Sequence, residues 1–337
     1  MGRSALALVF AAAIAAPALA HESAVELATG GLIFVRNENL EMLSQELSIS
    51  PSEISIRYRV LNKSDQDITV LAAFPMPDLH IEGPDDSPSL PTDDPINLLA
   101  FAAAANGKAI AANVEQRVIS AGLDRTRLLR DLGIPLAPHL ASIRGALDRL
   151  SPDKAEELGR LGLVESEVYD EGSGMRRHLG ARWTLQTTFS WEQRFTANSE
   201  TVIEQHYRPS IGRSPQTLLG SPAEEKEPWY DEYKDKYCFG YEFLAAVEAA
   251  RKAAGSKLGA PFSEQRIEYQ HKTWVNGLGS PIKQFRLVVD KAAPENLVSF
   301  CGEEPKKLDE TKLEVTKSDY TPDGTLAILF LTRLRQQ

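Results

Sequence analysis

The most constraining feature of this 337-residue chain is a strict alternation of apolar and polar residues. Between positions 53 and 60 the apolar side chains fall on every second residue, at Ile54, Ile56, Tyr58 and Val60. Successive residues of a β-strand point to opposite faces, so this period of two predicts a strand buried on one side. A second apolar run, 68–74, ends at Pro75, and turn-forming residues separate the two runs. We therefore predict a β-hairpin.

The same layout returns beyond residue 182. Alternating residues from Trp183 to Phe195 predict a strand, Asn198 and Ser199 predict a turn, and a further apolar run ends at Pro209. Two units of matching order predict duplicate hairpins, which could pair into the two facing sheets of one continuous sandwich. Two separate β domains are the alternative.

A helical pattern lies between these β regions. Four apolar residues recur at steps of three and four, namely Leu140, Ile143, Leu147 and Leu150. Ser151 before Pro152 is typical of an N-cap followed by proline at the first helical position. A later helix is expected near 240–254, ended by Gly255.

These patterns together predict a β-rich α+β fold, in which antiparallel β-sandwich-like parts carry an inserted short-helix bundle. The predicted divisions are an N-terminal β part at 21–119, the helical insertion at 120–170 and a C-terminal β-rich part at 171–337.

Residues 1–20 have the pattern of a signal peptide. Arg3 supplies a positive charge, 6–16 is an apolar stretch too short to span a bilayer, and Ala18-Leu19-Ala20 is typical of a cleavage site. We expect the mature chain to begin at His21 and to reside in the periplasm or outside the cell. No later segment has the length of a transmembrane helix, so none is expected.

Export determines how the two cysteines are interpreted. In an oxidising compartment Cys238 and Cys301 are expected to form a structural disulfide, with intermolecular pairing as the alternative. Their wide spacing is not that of a redox C-x-x-C motif or a zinc ribbon.

Charge and missing motifs restrict the function classes. The chain has 47 acidic and 37 basic residues and a net charge of -10, which argues against nucleic acid as a partner. Its sequence has neither a nucleophile elbow nor a phosphate-binding loop, and it lacks a dinucleotide fingerprint and a zinc-protease helix. We expect an exported, non-catalytic envelope binding or interaction protein, whose partner is an unknown envelope protein or glycan. The alternative is a secreted hydrolase acting on an envelope polymer, and a structural assembly subunit comes third.

An aromatic run is the first candidate ligand site. Trp229, Tyr233, Tyr237 and Tyr241 recur every four residues, and Tyr230 lies beside them. A helix that begins after Pro228 would align them in one stripe. Such a stripe packs against a sheet, or, if Trp229 and Tyr230 are exposed together, it offers a platform to a sugar ring or peptide through Trp229, Tyr230, Tyr233 and Tyr237.

Histidines and acids are the candidate metal ligands. No cofactor is expected, but an N-terminal His21 can bind copper through its amine and imidazole if His206 or His271 approaches it. The loop of residues 77–95 is rich in acids and proline, which predicts a solvated loop rather than a calcium cage. Glu204, His206 and Arg194, near Trp191, are candidates for the lining of a cleft.

Several short motifs occur in a recognisable order. They are Gly30-Gly31-Leu32-Ile33-Phe34, Phe74-Pro75-Met76-Pro77-Asp78, Gly133-Ile134-Pro135-Leu136, His206-Tyr207-Arg208-Pro209, Trp274-Val275-Asn276-Gly277-Leu278 and Val298-Ser299-Phe300-Cys301. In these motifs the chain resembles the bacterial domain-of-unknown-function family 4424 over nearly the whole mature sequence. The resemblance implies a secreted or periplasmic protein and carries over no catalytic residue. Residues 58–75 are also similar to the strand-turn-strand of vault-type interaction domains, which implies a binding module.

Overall fold

The computed structural model describes residues 26–35, 37–83, 88–170, 172, 174–271, 281–302, 305–322 and 324–334. His21 and the 274–278 motif lie outside these residues. The first ten strands are β1 (Thr29–Gly30), β2 (Ile33–Phe34), β3 (Leu40–Ile49), β4 (Ile54–Asn62), β5 (Ile68–Pro75), β6 (Ala102–Ala105), β7 (Lys108–Ala109), β8 (Asn113–Ser120), β9 (Leu123–Asp124) and β10 (Val164–Asp170). The later strands are β11 (Met175–Ala181), β12 (Thr184–Phe195), β13 (Glu200–Tyr207), β14 (Gly212–Ser214), β15 (Phe262–Gln270), β16 (Ile282–Asp290), β17 (Leu297–Phe300), β18 (Lys306–Lys307), β19 (Lys312–Tyr320) and β20 (Thr325–Arg333).

The helices are fewer than the strands in the described residues. They are α1 (Thr126–Asp131), α2 (Ser142–Leu147), α3 (Pro152–Arg160), α4 (Pro228–Tyr237) and α5 (Tyr241–Ala253), with a 3₁₀ turn at Glu224–Lys226. None of the helices in the described ranges is long and apolar enough to cross a membrane. The predicted β-rich α+β fold is confirmed.

An eight-stranded sheet forms one layer, in the order β18-β19-β16-β3-β4-β13-β6-β7. The pair β16 and β3 is parallel, and its other pairs are antiparallel. Two five-stranded sheets face it. One has the order β2-β5-β12-β8-β9, and the other has the order β1-β15-β20-β17 with β14 also on β15.

One hydrophobic core joins these three sheets. Tyr207 of the eight-stranded sheet lies 5.2 Å from Phe74 of β5, and Phe74 stacks on Phe101 at 4.1 Å between ring centroids. Ile267 of β15 and Ile328 of β20 belong to the same buried cluster. The strands of the N-terminal and C-terminal regions therefore share one sandwich core.

The predicted hairpins are wrong in their pairing, although their strands form. β4 pairs with β13 in the eight-stranded sheet, whereas β5 pairs with β12 in the sheet that faces it. Each predicted hairpin is therefore an arch that crosses between the layers. The two arches pair with one another, as expected if the duplicate units build facing sheets.

Asn62 lies at the point where the two arches meet, and it is fully buried. Its amide nitrogen donates to the Gln66 carbonyl at 2.8 Å and to the Phe195 carbonyl at 3.0 Å. Its amide oxygen accepts from the Ser64 backbone N–H at 2.9 Å. The side chain thus bonds both its own arch and the other one.

The helices cover two places on the sandwich. α1, α2 and α3 enclose a small core around Trp183, whose indole N–H donates to the Leu136 carbonyl at 2.8 Å. Ser151 caps α3 as predicted, since its hydroxyl accepts from the Lys154 backbone N–H. α4 and α5 pack on the outer face of the sheet that contains β20. The predicted helix near 240–254 corresponds to α5, and α4 precedes it.

The predicted disulfide between Cys238 and Cys301 is confirmed. Cys238 ends α4 in a left-handed conformation, and Cys301 follows β17 directly. The Ser299 hydroxyl donates to the Tyr237 carbonyl at 2.9 Å beside the bridge. The bridge therefore fixes the end of α4 to the edge of a sheet.

Replacing the buried amide should weaken the sandwich. We expect Asn62→Ala to lower the free energy of unfolding by about 2–3 kcal/mol, because buried carbonyls on both arches lose their donor. Urea unfolding followed by circular dichroism measures the change. The control Asn113→Ala, at an exposed strand position, should stay within about 0.5 kcal/mol of the parent. Equal stability of the two variants would contradict the role given to Asn62.

Removing the disulfide should also destabilise the chain. The bridge closes a separation of 63 residues, for which the loss of unfolded-state entropy is worth roughly 4 kcal/mol. Reductant should lower the urea midpoint of the parent and leave that of the Cys238→Ala, Cys301→Ala double variant unchanged. A parent midpoint that is insensitive to reductant would contradict this expectation.

Candidate functional site

The aromatic run is part of a core. Tyr230 and Tyr237 are buried, Trp229 and Tyr233 are partly buried, and all four belong to the cluster beneath α4 and α5. The rings of Tyr233 and Tyr237 meet edge to face at 4.7 Å between centroids. Tyr241, the last residue of the predicted stripe, instead begins α5 and is exposed. The packing alternative therefore describes the other four rings, which do not form an exposed platform. Their faces are covered because α4 lies against the sheet.

The candidate metal ligands are not assembled within the described ranges. His206 is exposed on β13, whereas His271 is buried against Tyr269 and Phe285. No group of three or more histidine, cysteine, aspartate or glutamate side chains is arranged to hold a metal ion in this part of the chain. Copper binding by His21, which lies outside the described ranges, stays a prediction.

Two acids of the proline-rich loop have structural contacts. Asp78 accepts from the Gln186 amide at 3.0 Å, and Asp94 accepts from the backbone N–H groups of Ile96 and Asn97. Those backbone bonds lower the pKa of Asp94. Asp85 and Asp86 lie outside the described residues.

A groove of about 920 Å³ lies on the outer face of the eight-stranded sheet. The strand register determines what lines it. Glu204 of β13 is opposite Arg57 of β4, and Arg57 is in turn opposite Glu46 of β3. On the other side of β3, Glu46 is opposite Arg286 of β16. Neighbouring strands are about 4.8 Å apart. A row of alternating acid and base therefore crosses four strands, and we call it the charge ladder.

Contacts within the charge ladder are uneven. The Arg57 guanidinium lies 2.5 Å from the Glu204 carboxylate, and the Arg286 guanidinium lies 2.6 Å from Glu314 of β19. Glu46 lies between the two arginines in register, yet it makes no ion pair within 4.0 Å in the part of the chain that the structure describes. Its exposed carboxylate can therefore accept hydrogen bonds from a ligand.

Small side chains make the groove deep enough to hold a ligand. The next row of the sheet runs from Ala102 through His206, Ser55 and Ser48 to Val288. Ala104 is opposite Glu204 in the ladder row, and Leu308 contributes to the wall beyond Val288. Alanine and serine leave room above the sheet that longer side chains would fill.

The groove contains two of the residues that the sequence suggested as the lining of a cleft. Glu204 and His206 line it, as expected. Arg194 instead pairs with Asp67, which lowers the pKa of that aspartate, and Trp191 is buried in the core. Glu46, Arg57 and Arg286 were missed because they come from separate strands. The alanine run at 102–105 was the one local sequence feature that pointed to a groove at this place.

A second polar cluster lies between α4 and β15, and it is closed. Glu264 accepts from Thr217 at 2.6 Å and from the Tyr233 hydroxyl at 2.8 Å, and it lies 3.0 Å from the Arg266 guanidinium. Glu26 lies 3.5 Å from the same guanidinium. Burial and the nearby Glu264 carboxylate raise the pKa of Tyr233. Both Glu264 oxygens are occupied by protein donors, so this cluster stabilises the fold and leaves no position for a substrate.

Comparisons with known proteins give a family without an activity. The profile of a family described as a domain of unknown function, DUF4424, matches residues 20–329. A crystal structure of a Legionella pneumophila protein, which carries a provisional description as a nutrient binding protein, is 14% identical with a TM-score of 0.45. That alignment covers 91% of this chain and 72% of the other. No curated protein sequence matches this chain.

The closed cluster should make stability depend on pH in the alkaline range. The folded state raises the pKa of Tyr233 above its usual value of about 10. The contribution of the protonated Tyr233 to the free energy of unfolding is therefore complete below about pH 10. It is lost as the pH rises further, by at most about 1.4 kcal/mol per pH unit. Tyr233→Phe should cost about 1–3 kcal/mol at pH 7, because the bond to Glu264 is lost, and should reduce the alkaline slope.

Urea unfolding at pH 7, 9, 10 and 11 measures both effects. The control is Tyr241→Phe, since Tyr241 is 87% exposed and the loss of its hydroxyl should leave the stability at pH 7 unchanged. If Tyr233→Phe keeps the parent's stability at pH 7, the proposed bond to Glu264 has no energetic role.

Proposed function

This chain is a member of the DUF4424 family, and from this premise we propose that it is an exported, non-catalytic binding protein of the bacterial envelope. The groove on the eight-stranded sheet is its ligand site. The proposal rests on one observation above all, which is that polar side chains without a partner among the described residues line one groove of about 920 Å³.

The polar groups of the groove support binding. Glu46, Glu53 and His206 line it, and none of these three side chains makes an ion pair or hydrogen bond within the described ranges. Small-molecule sites have cavities of roughly 300–1,000 Å³ with a few polar groups that orient the ligand. A groove of about 920 Å³ falls within that range.

The composition of the lining favours a ligand with charges of both signs. Glu46 has no protein partner among the described residues, whereas Arg57 and Arg286 each donate one N–H to a glutamate and keep further N–H donors. A ligand can therefore pair a basic group with Glu46 and an acidic group with one of the arginines. The described residues that line the groove include no Trp, Tyr or Phe ring on which a sugar could stack. We therefore favour a polypeptide segment with mixed charge over a neutral glycan.

The contacts that Glu204 and Glu264 make with other protein groups favour a non-catalytic role. The Glu204 carboxylate is bound to Arg57, so it already has a protein partner. The buried Glu264 is fully bonded by protein groups. A glycosidase needs one acid that stays protonated opposite a second carboxylate.

Export is supported by two observations. The disulfide between Cys238 and Cys301 is of the kind that persists in oxidising compartments. The family match begins at residue 20, beside the predicted cleavage site. We place the mature protein in the periplasm or outside the cell.

Substitutions in the groove should abolish ligand binding. The probes are an array of short peptides that carry both charges and a panel of soluble cell-wall oligosaccharides. For any probe that binds the parent, Ala104→Trp should reduce affinity at least tenfold by filling the floor, and Glu46→Lys should do so by making the ladder positive. The control is Glu192→Lys, at an exposed position of β12 in another sheet.

Three results would contradict the proposal. The first is that the groove variants bind as tightly as the parent. The second is that no member of either panel binds the parent at millimolar concentration. The third is release of products from cell-wall polymer by the parent, which would favour the hydrolase.

A further inference from the structure

A separate, smaller pocket lies at one end of the eight-stranded sheet. Its volume is about 340 Å³, and it is enclosed by the turn between β3 and β4, the segment at 89–91 and the chain that follows β13. Arg208 and Arg213 both line it, together with Ser52 and Ser89. The groove's lining residues are different ones.

No acid among the described residues compensates the charge of this pocket. Both arginines are exposed, and neither side chain makes an ion pair or a hydrogen bond with the described part of the chain. The described lining includes no carboxylate. Two positive charges on one small cavity are unusual in a chain of net charge -10, in which many of the other arginines are paired with acids.

The backbone of the pocket is held in place. Pro51, Pro91 and Pro209 are among its lining residues, and a proline ring fixes the φ angle of its residue. The Arg208 backbone N–H donates to the Leu99 carbonyl at 2.8 Å, and Arg213 is paired with Gln265 in the strand register. A pocket whose walls are ordered before binding loses little entropy when a ligand enters.

The donors match a particular kind of anion. Each guanidinium presents a planar fork of N–H donors, and one fork satisfies a carboxylate. Two forks and two hydroxyl groups suit the three or more oxygens and the double negative charge of a phosphate group. A cavity of about 340 Å³ also has room for a small organic group attached to the phosphate.

We propose that the pocket formed by Arg208, Arg213, Ser52 and Ser89 binds a phosphate group. The phosphate is either free in solution or the end group of a small phosphate ester. This site is independent of the ligand proposed for the groove.

Titration calorimetry of the mature protein with inorganic phosphate, glycerol 3-phosphate and acetate tests the proposal. We expect saturable binding of phosphate or its ester with one site per chain, weaker binding at higher salt, and at least tenfold weaker binding of acetate. Arg208→Gln and Arg213→Gln should each weaken phosphate binding at least tenfold. The control Arg149→Gln removes an exposed arginine that lies outside the pocket and should have no effect.

The two sources of phosphate are distinguished by the same titrations. Tighter binding of glycerol 3-phosphate identifies the ester as the ligand, whereas equal or weaker binding identifies free phosphate. Melting temperatures of the three variants should equal that of the parent, because exposed side chains are replaced. Glu46→Lys in the groove should leave phosphate binding unchanged, so failure of the groove proposal does not affect this one. Absence of saturable phosphate binding up to 10 mM, or unchanged binding in both pocket variants, would overturn the proposal.

Discussion

The fold depends on the buried side-chain amide of Asn62, which holds the two arches together. A chain that leaves one sheet and enters the facing sheet must turn through the core boundary, where its backbone groups lose water. Asn62 supplies donors to carbonyls on both arches and an acceptor to its own turn. The backbone continues the connection, because the Asn62 N–H donates to the Ser199 carbonyl and the Asn198 N–H donates to the Ser64 carbonyl. Each arch therefore completes the hydrogen bonds of the other.

The groove follows from this arrangement. Because β4 pairs with β13 rather than with β5, Arg57 lies beside Glu204, although 147 positions separate them. The parallel pair of β3 and β16 then brings Arg286 beside Glu46. The charge ladder exists only when distant strands are in register, and a slip of one strand by one residue would turn that strand's ladder side chain into the core. The site and the core thus depend on the same register.

Local patterns in the sequence predicted the strands and helices better than they predicted which strands pair with one another. The alternation at 53–60 and 183–195 identified strands, and Ser151 with Pro152 identified the start of a helix. The expectation of export predicted the disulfide. The hairpins were wrong because an arch and a hairpin use the same turn residues, and what separates them is the burial of Asn62 at the crossing. The aromatic stripe predicted α4, but the helix ends at Tyr237 and does not reach Tyr241. No local pattern says which side of α4 meets the sheet. The alanines at 102–105 form a groove floor only because their strand borders β13.

Carboxylates in this protein occur in two environments, and the difference separates stability from binding. Behind α4, Glu264 is buried with both oxygens bonded, so any ligand would have to break those bonds before gaining its own. On the outer sheet face, Glu46 and Glu53 are exposed, and a ligand there displaces only water. The closed acid lies behind a disulfide-linked helix, while the open acids lie on a sheet whose other face is the core. The ligand that we propose for the groove would therefore exchange without disturbing the contacts that keep the sandwich folded.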